Sequence, residues 1–360
     1  MGELYISSSS KSKLLNVKRK VVQAISEARS LYSKIATNPP RIVKAFIDTE
    51  TNVLYIIVED RPDKAAIIGH GGIITANVRR LLKVPDINIQ AKTDLYLKRM
   101  RIKAALKVLE DVASKNYSEN ITLFLEHYMK PLLESELRFP PRKIPQIAME
   151  HKPQCIVAFS GGVDSFVSMV ILKKLGVDFK AVTVDPGRMV ITPDIREMIM
   201  TLCKTLEVEH AFIEAPEIRE VLVRASRHGF SPCGQCTDLM FKKILDYASK
   251  MGTDIIVFGN LLPTGIQSMS MVDGILRVNL PGALAMTKKD ILLMARSNGH
   301  PLKYVFSYGC PFLNALFRKY PSTIYASFDR ILRKVRAGIM EPGFALKLMK
   351  GILKASIKGA

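Results

Sequence analysis

The 360-residue chain is longer than a single hydrophobic core serves well, and its 48% apolar content suits a globular protein of two or three domains. No run approaches the roughly 18 apolar residues of a membrane-crossing helix, and the polar, serine-rich start over 1–13 lacks the apolar stretch of a signal peptide, so the expectation is a cytoplasmic protein with no membrane partner. The net charge of +20 is uneven: residues 1–150 carry 25 basic and 16 acidic side chains, 151–300 carry 17 and 15, and 301–360 carry 11 and 2, which places the excess on the flanks, where a long polyanion would be gripped.

Residues 11–38 carry Val17, Val21, Ala24, Ile25, Ala28 and Leu31 at helical spacing, with Asn38-Pro39-Pro40 as a stop. Residues 42–47 and 53–58 read as the two strands of a hairpin. A short helix over 65–68, the turn Gly69-His70-Gly71-Gly72, a second helix through Arg79 and Arg80, and a strand at 87–89 come next. Helix, GxxG turn, helix and strand in this order resemble a KH domain. The resemblance implies that single-stranded nucleic-acid backbone packs against Gly69, His70, Gly71 and Gly72, and that Arg79 and Arg80 meet phosphates. Two more helices are expected over 94–116 and 119–137. Phe139-Pro140-Pro141-Arg142-Lys143-Ile144-Pro145 reads as a stiff, basic linker, because proline precludes helix there. The expected organisation is thus an N-terminal helix over 1–40, an α+β KH-like domain with its following helices over 41–138, and a linker over 139–150.

The apolar strand 156–159 runs through Ser160-Gly161-Gly162-Val163-Asp164-Ser165 into an apolar helix that starts at Phe166. A glycine turn at a helix N-terminus presents unpaired N–H groups and the positive end of the helix dipole, and it lets phosphate approach the backbone. Ser160 and Ser165 add hydroxyl donors, and Asp164 could hold the Mg2+ that accompanies a nucleotide. Strands at 179–184, 209–213 and 254–258 then alternate with helices at 193–206, 217–228 and 236–250. The fold class this predicts is α/β, a doubly wound parallel sheet whose ligands lie at the carboxyl ends of its strands. This domain is expected over 151–310, followed by a helical, basic C-terminal tail over 311–360.

Five cysteines in a long chain without a secretory signal argue for reduced thiols or metal ligands. Cys155 and Cys203 sit in apolar contexts and read as core residues. Cys233 and Cys236 form a C-x-x-C in a turn between two helices, and Cys310 stands in a loop entering a helix. By themselves these three fit zinc, an iron–sulfur cluster or a redox pair.

The Ser160–Ser165 hexapeptide resembles the SGGxDS loop of the PP-loop ATP pyrophosphatase superfamily. With the C-x-x-C and the late Cys310-Pro311-Phe312, followed by Lys319-Tyr320-Pro321-Ser322-Thr323, residues 150–340 resemble the tRNA 2-thiolation enzymes, the 2-thiouridine and 2-thiocytidine synthetases. That resemblance implies an ATP-dependent sulfurtransferase that adenylylates the C2 oxygen of a tRNA pyrimidine and replaces it with sulfur. It implies ATP and Mg2+ bound by Ser160, Gly161, Gly162, Asp164, Ser165 and Gly259, with adenine against Val184 and Asp185. It also implies a [4Fe-4S] cluster on Cys233, Cys236 and Cys310, zinc being the alternative, with Asp164 and the three cysteines as catalytic residues. The partners would be tRNA and a sulfur donor, whether sulfide, a persulfide or a carrier protein; a homodimer stays open. Two departures stand out. Val163 occupies the place where these enzymes carry lysine, and residues 259–267 lack the family's histidine and two acids. A PP-loop enzyme that uses a cysteine persulfide or an amine on RNA, and a non-catalytic ATP-sensing RNA-binding protein, remain alternatives.

Overall fold

The computed structural model describes residues 8–32, 38–49, 51–115, 117–303 and 308–357. The first residues of the chain, the expected end of the first helix at 33–37, and residues 304–307 ahead of Cys310 lie outside these. The chain divides into two compact units: Met1–Arg99 with Arg138–Arg142, and Met100–Leu137 with Lys143–Ala360. The boundary therefore falls inside the helix Lys92–Ala113, and the proline-rich stretch expected as a linker instead contributes five residues to the first unit.

In the first unit the helix Ser8–Tyr32 precedes β1 (Ile42–Ile47) and β2 (Val53–Val58); the helices Arg61–Ile68 and Ile73–Leu82 then lead to β3 (Asp86–Ala91). The sheet order is β1-β2-β3, with β1 antiparallel and β3 parallel to β2. Leu54, Ile56, Val58, Ile87 and Ile89 face Val21, Ala24, Ile25 and Ala28 of the first helix and Ile67, Ile74 and Val78 of the helix pair, forming one core. Leu31, expected on the same stripe, is exposed. β2 is buried at all six positions, which explains why Val53–Val58 is an unbroken apolar run rather than an alternating one.

The second unit is built on β4 (Gln154–Ala158), β5 (Asp178–Asp185), β6 (His210–Glu214), β7 (Ile255–Phe258), β8 (Met269–Val272) and β9 (Ile275–Asn279). Their order is β6-β5-β4-β7-β9-β8, parallel throughout except for β8, which pairs antiparallel with β9. The fold is α/β with a doubly wound sheet, as the alternation of strands and helices predicts. Successive residues of β4 point to opposite sides. Cys155 and Val157 join the core under the helices Val163–Leu175, Pro193–Thr205 and Lys288–Ser297, while Ile156 joins the core under Pro216–His228, Cys233–Lys250, Pro311–Lys319, Ile324–Arg336 and Pro342–Ile357. The last three helices of the basic C-terminal region pack onto the core of the second unit, with Phe312, Leu316, Phe317, Ile331, Leu348 and Ile352 buried there. The helices of 100–136 pack on the other face through Ile102, Leu109, Phe124, Tyr128 and Leu132. No described helix is long and apolar enough to cross a membrane.

Candidate active site

β4 is the point at which strand order reverses, with β5 on one side and β7 on the other, so a crevice opens where its carboxyl end meets that of β7. Into this crevice runs the loop 159–162. Gly161 takes φ 74°, a conformation that costs glycine nothing, and an added Cβ there would lie 2.8 Å from Cγ1 of Ile199. Ser160 N–H points at Oγ of Ser165 (3.4 Å), which itself donates to the Gly162 carbonyl (3.2 Å). Gly162 caps the 13-residue helix Val163–Leu175 with no side-chain hydrogen bond, leaving its first N–H groups for an anion. From the β7 side Gly259 presses on this turn. A Cβ at 259 would overlap N and Cα of Ser165 and come within 2.7 Å of the Asp164 carbonyl carbon. Gly259→Ala should therefore push the two loops apart, weakening nucleotide binding and costing about 1–3 kcal/mol of stability, readable by calorimetry and by urea denaturation.

Three side chains that the sequence did not single out complete the turn. Lys288, at the start of the helix Lys288–Ser297, places Nζ 2.6 Å from Oδ1 of Asp164. Lys334 is close enough to Asp164 and Lys288 to feel both: burial lowers its pKa, Asp164 works against that, and Lys288 adds to it. Two lysines thus converge on one carboxylate, and the balance is a site for negative charge. His300 accepts from Leu302 N–H at Nδ1 (3.0 Å), so its proton sits on Nε2, which faces the Gly161 carbonyl at 3.3 Å. Burial lowers the His300 pKa, and this neutral ring braces the turn from below, edge-on to Phe166 at 5.1 Å.

At the end of β5, Asp185 accepts from Gly187 N–H (2.8 Å) and pairs with Arg196, which lies 3.9 Å above the ring of Phe212. The Asp185 carboxylate is thereby committed to shaping its turn, and Val184 is buried beside it. Below them Thr183 donates to the Phe159 carbonyl (2.6 Å), so His210 Nε2, 2.8 Å away, must be the donor to the Thr183 hydroxyl. Burial, helped by Arg196, lowers the His210 pKa to about 4. Between the ordinary histidine value of 6.5 and about 4, the unfolded ring binds a proton that the folded one refuses. Stability should therefore fall as pH drops through that window, and His210→Asn should flatten the slope in denaturation series run from pH 7 to pH 4.

The thiols lie on the opposite face of the sheet from the helix Val163–Leu175. Cys233 opens the helix Cys233–Lys250 and Cys236 is one turn along it, so the C-x-x-C occupies a helix N-terminus rather than the preceding turn. The reason is local, since Pro232 immediately precedes and cannot continue a helix backwards. Cys310 caps the helix Pro311–Lys319. Burial raises Cys236 to about 11, and both Cys233 and Cys310 add to the rise; burial likewise raises Cys310, against the pull of nearby N–H groups. The three thiols therefore share one neighbourhood, together with Tyr308 and with Arg330, whose cation is close enough to Cys233 and Tyr308 to feel both. Cys155 and Cys203 are buried in the other core, and burial alone accounts for the rise of Cys203 to about 11. Among the described residues no three His, Cys, Asp or Glu side chains stand close enough to hold a single metal ion. Three thiols without a fourth ligand do not make a closed tetrahedral zinc site. A cluster asks less of them, because each sulfur would take a different iron.

One helix connects the two centres. On Ile324–Arg336, Arg330 lies near Cys233, and Lys334 lies near Asp164 and Lys288. Residues four apart share a helix face and are about 6 Å apart along its axis, so one face of this helix serves both centres.

Against this geometry, sequence comparison finds a relative in Methanocaldococcus jannaschii, the "Uncharacterized protein MJ1638", 32% identical over 258 residues that span 71% of this chain and 94% of the relative. The chain belongs to the MJ1638 family. A second relative from that organism, the "Uncharacterized protein MJ1599", is 26% identical over 202 residues, 54% of this chain and 72% of its own length. No protein-family model matches this MJ1638-family chain. Among solved structures, the U34-tRNA thiolase NcsA from Methanococcus maripaludis with its [4Fe-4S] cluster is similar at a TM-score of 0.34 and 15% identity, over 64% of this chain and 79% of that one. The NMN synthetase from Francisella tularensis is similar at 0.35 and 16%, over 57% and 86%.

In the first unit of this MJ1638-family member, Gly69, His70, Gly71 and Gly72 form one tight turn; Gly71 and Gly72 have left-handed backbones and open space around them. Arg79 and Arg80 are exposed but stand in the last turn of the next helix, about 10 Å along its axis from the glycines. Arg80 is held there by the Asn77 side chain at 3.0 Å.

Proposed function

We propose that this chain is an ATP-dependent tRNA sulfurtransferase of the PP-loop type, and the observation that carries the reading is the helix Ile324–Arg336, which holds Arg330 near the thiols and Lys334 near the phosphate turn. The N–H groups at the start of the helix Val163–Leu175 and the hydroxyls of Ser160 and Ser165 receive the ATP phosphates. Asp164 is the residue to hold Mg2+, which spreads charge on the leaving pyrophosphate. Lys288 then exchanges Asp164 for phosphate and stands in for the lysine that Val163 replaces. The C2 oxygen of the target pyrimidine attacks the α-phosphorus, the α–β bridge breaks, and pyrophosphate leaves toward Lys288 and Lys334. A sulfur nucleophile adds at C2, and AMP departs with the oxygen. Cys233, Cys236 and Cys310 would hold a [4Fe-4S] cluster, whose open iron supplies a place for sulfide. The GxxG turn of the first unit, KH-like in element order, is the proposed grip on the RNA backbone.

The contact of Arg330 with Cys233 favours one second reading, in which sulfur travels as a persulfide on Cys233. Its terminal sulfur would attack C2 and expel AMP. Cys236 or Cys310 would then attack the mixed disulfide, releasing the thiolated base and closing a cysteine pair. Both readings require pyrophosphate release that depends on tRNA, together with a new 2-thio nucleoside by mass spectrometry. ATP binding with no tRNA-dependent pyrophosphate would overturn both. Iron content and visible absorbance of anaerobically purified protein separate the first from the second.

A further inference from the structure

The three-stranded sheet has a second face, turned away from the GxxG helices. Strand alternation puts Lys44 and Phe46 of β1 and Tyr55 and Ile57 of β2 on it, and pairing sets Phe46 opposite Tyr55 and Lys44 opposite Ile57. The two rings stack at 5.4 Å with an 11° tilt, and Phe139 meets Tyr55 edge-on at 6.0 Å. Between this face, residues 92–99 and residues 138–140 lies an open cavity of about 540 Å³. Lys44, Lys92, Arg99 and Arg138 line it together with Phe46 and Tyr96, and among the described residues no acidic side chain does. Glu59 is paired with Lys92 at 2.8 Å. Tyr96 is 64% exposed, which a tyrosine has no packing reason to be, and Lys44 Nζ sits 5.1 Å from the centroid of Phe46.

We propose that this cavity binds single-stranded RNA, with an unpaired base on the Phe46–Tyr96 side and its flanking phosphates on Lys44, Arg99 and Arg138. Flat apolar rings serve every base through its π-face, and interleaved cations track the backbone; that combination is how unpaired strands are held without sequence preference. A double helix keeps its bases stacked internally and offers nothing to the rings. A volume near 540 Å³ suits a nucleotide-sized group, and a wide mouth suits a strand that continues past it. An acidic peptide would use the cations and leave the rings idle. The site lies on the opposite face of the sheet from the helices that flank Gly69–Gly72, so it is separate from that turn. The inference shares the RNA, and nothing else, with the proposed sulfur transfer.

The test uses the full chain, a fluorescein-labelled oligouridine, and an RNA duplex of the same length. Tyr96→Ala should weaken oligouridine binding by roughly 5- to 100-fold, in line with the loss of one stacked base, and leave duplex binding unchanged. Tyr96→Phe should retain binding, since the ring does the stacking. Lys44→Ser with Arg138→Ser should lower the salt dependence of oligouridine binding by about two counterions. These side chains are exposed, so thermal midpoints should not move. Wild-type affinity in Tyr96→Ala, equal losses for single strand and duplex, or no oligouridine binding by the wild-type protein would each overturn the proposal. Pyrophosphate release is read separately and stands or falls by itself.

Discussion

Lys334→Met is expected to cut ATP-dependent pyrophosphate release by about 10²–10³-fold while leaving the protein at least as stable as before. The two effects follow from one fact. The Lys334 side chain is half-buried, where its charge is penalised, and burial lowers its pKa despite the neighbouring Asp164. Methionine has similar length and removes the penalty, so thermal stability should hold or rise. The leaving pyrophosphate loses a preorganised cation in a site shielded from water, and the loss of one such stabiliser typically costs that factor in turnover. Lys288→Ala should behave differently. It breaks the 2.6 Å pair with Asp164, so apparent Mg2+ affinity should change along with turnover. A Lys334→Met protein with wild-type pyrophosphate release would remove Lys334 from the phosphate site. It would also remove the main reason to connect that site with the thiols.

The parts of this site that are legible in the sequence are those written in consecutive residues. Strand, glycine turn and helix at 156–172 announce an anion site because the elements that build it are adjacent in the chain. The C-x-x-C and Cys310 stand out because two cysteines at one-turn spacing and a cysteine before Pro311 are rare outside ligand or redox sites. Lys288, Lys334 and His300 give no such sign. Each sits in an ordinary helical or loop context, and only tertiary packing brings them to a turn more than a hundred residues away. The Asp273-Gly274 turn between β8 and β9 is legible in principle. Both residues have left-handed backbones, and Asp-Gly between apolar runs is a strong hairpin signal, although the strands it joins, Met269–Val272 and Ile275–Asn279, are too short to stand out by alternation. The helix Lys288–Ser297 likewise carries a capping box in Thr287 and Asp290. The unit boundary at Arg99 and Met100 is not legible at all, because the helical pattern of 92–113 runs through it unbroken. Proline content marks where the backbone is stiff, and that need not be where contacts thin out.

Cys233→Ser should abolish thiolation of tRNA, a loss of more than about 10³-fold, and leave the adenylylation half-reaction within a few-fold of normal. Serine nearly keeps the size but is a far poorer nucleophile and iron ligand. The phosphate turn, Lys288 and Lys334 are untouched, so pyrophosphate should still form when tRNA is present. Cys310→Ser should match Cys233→Ser if the three thiols act as one set. Cys203→Ser is the control. That thiol lies in the other core, and the change should cost about 1–3 kcal/mol of stability while sparing thiolation at temperatures below the transition. Arg330→Leu sharpens the comparison, because it removes a cation close to the thiols while the same helix still presents Lys334 to Asp164. It should slow sulfur transfer and leave pyrophosphate release intact, whereas Lys334→Met should stop both. If Arg330→Leu and Lys334→Met impaired the two half-reactions equally, the helix would be acting only as scaffold, and the division of labour between these two residues would have to be abandoned.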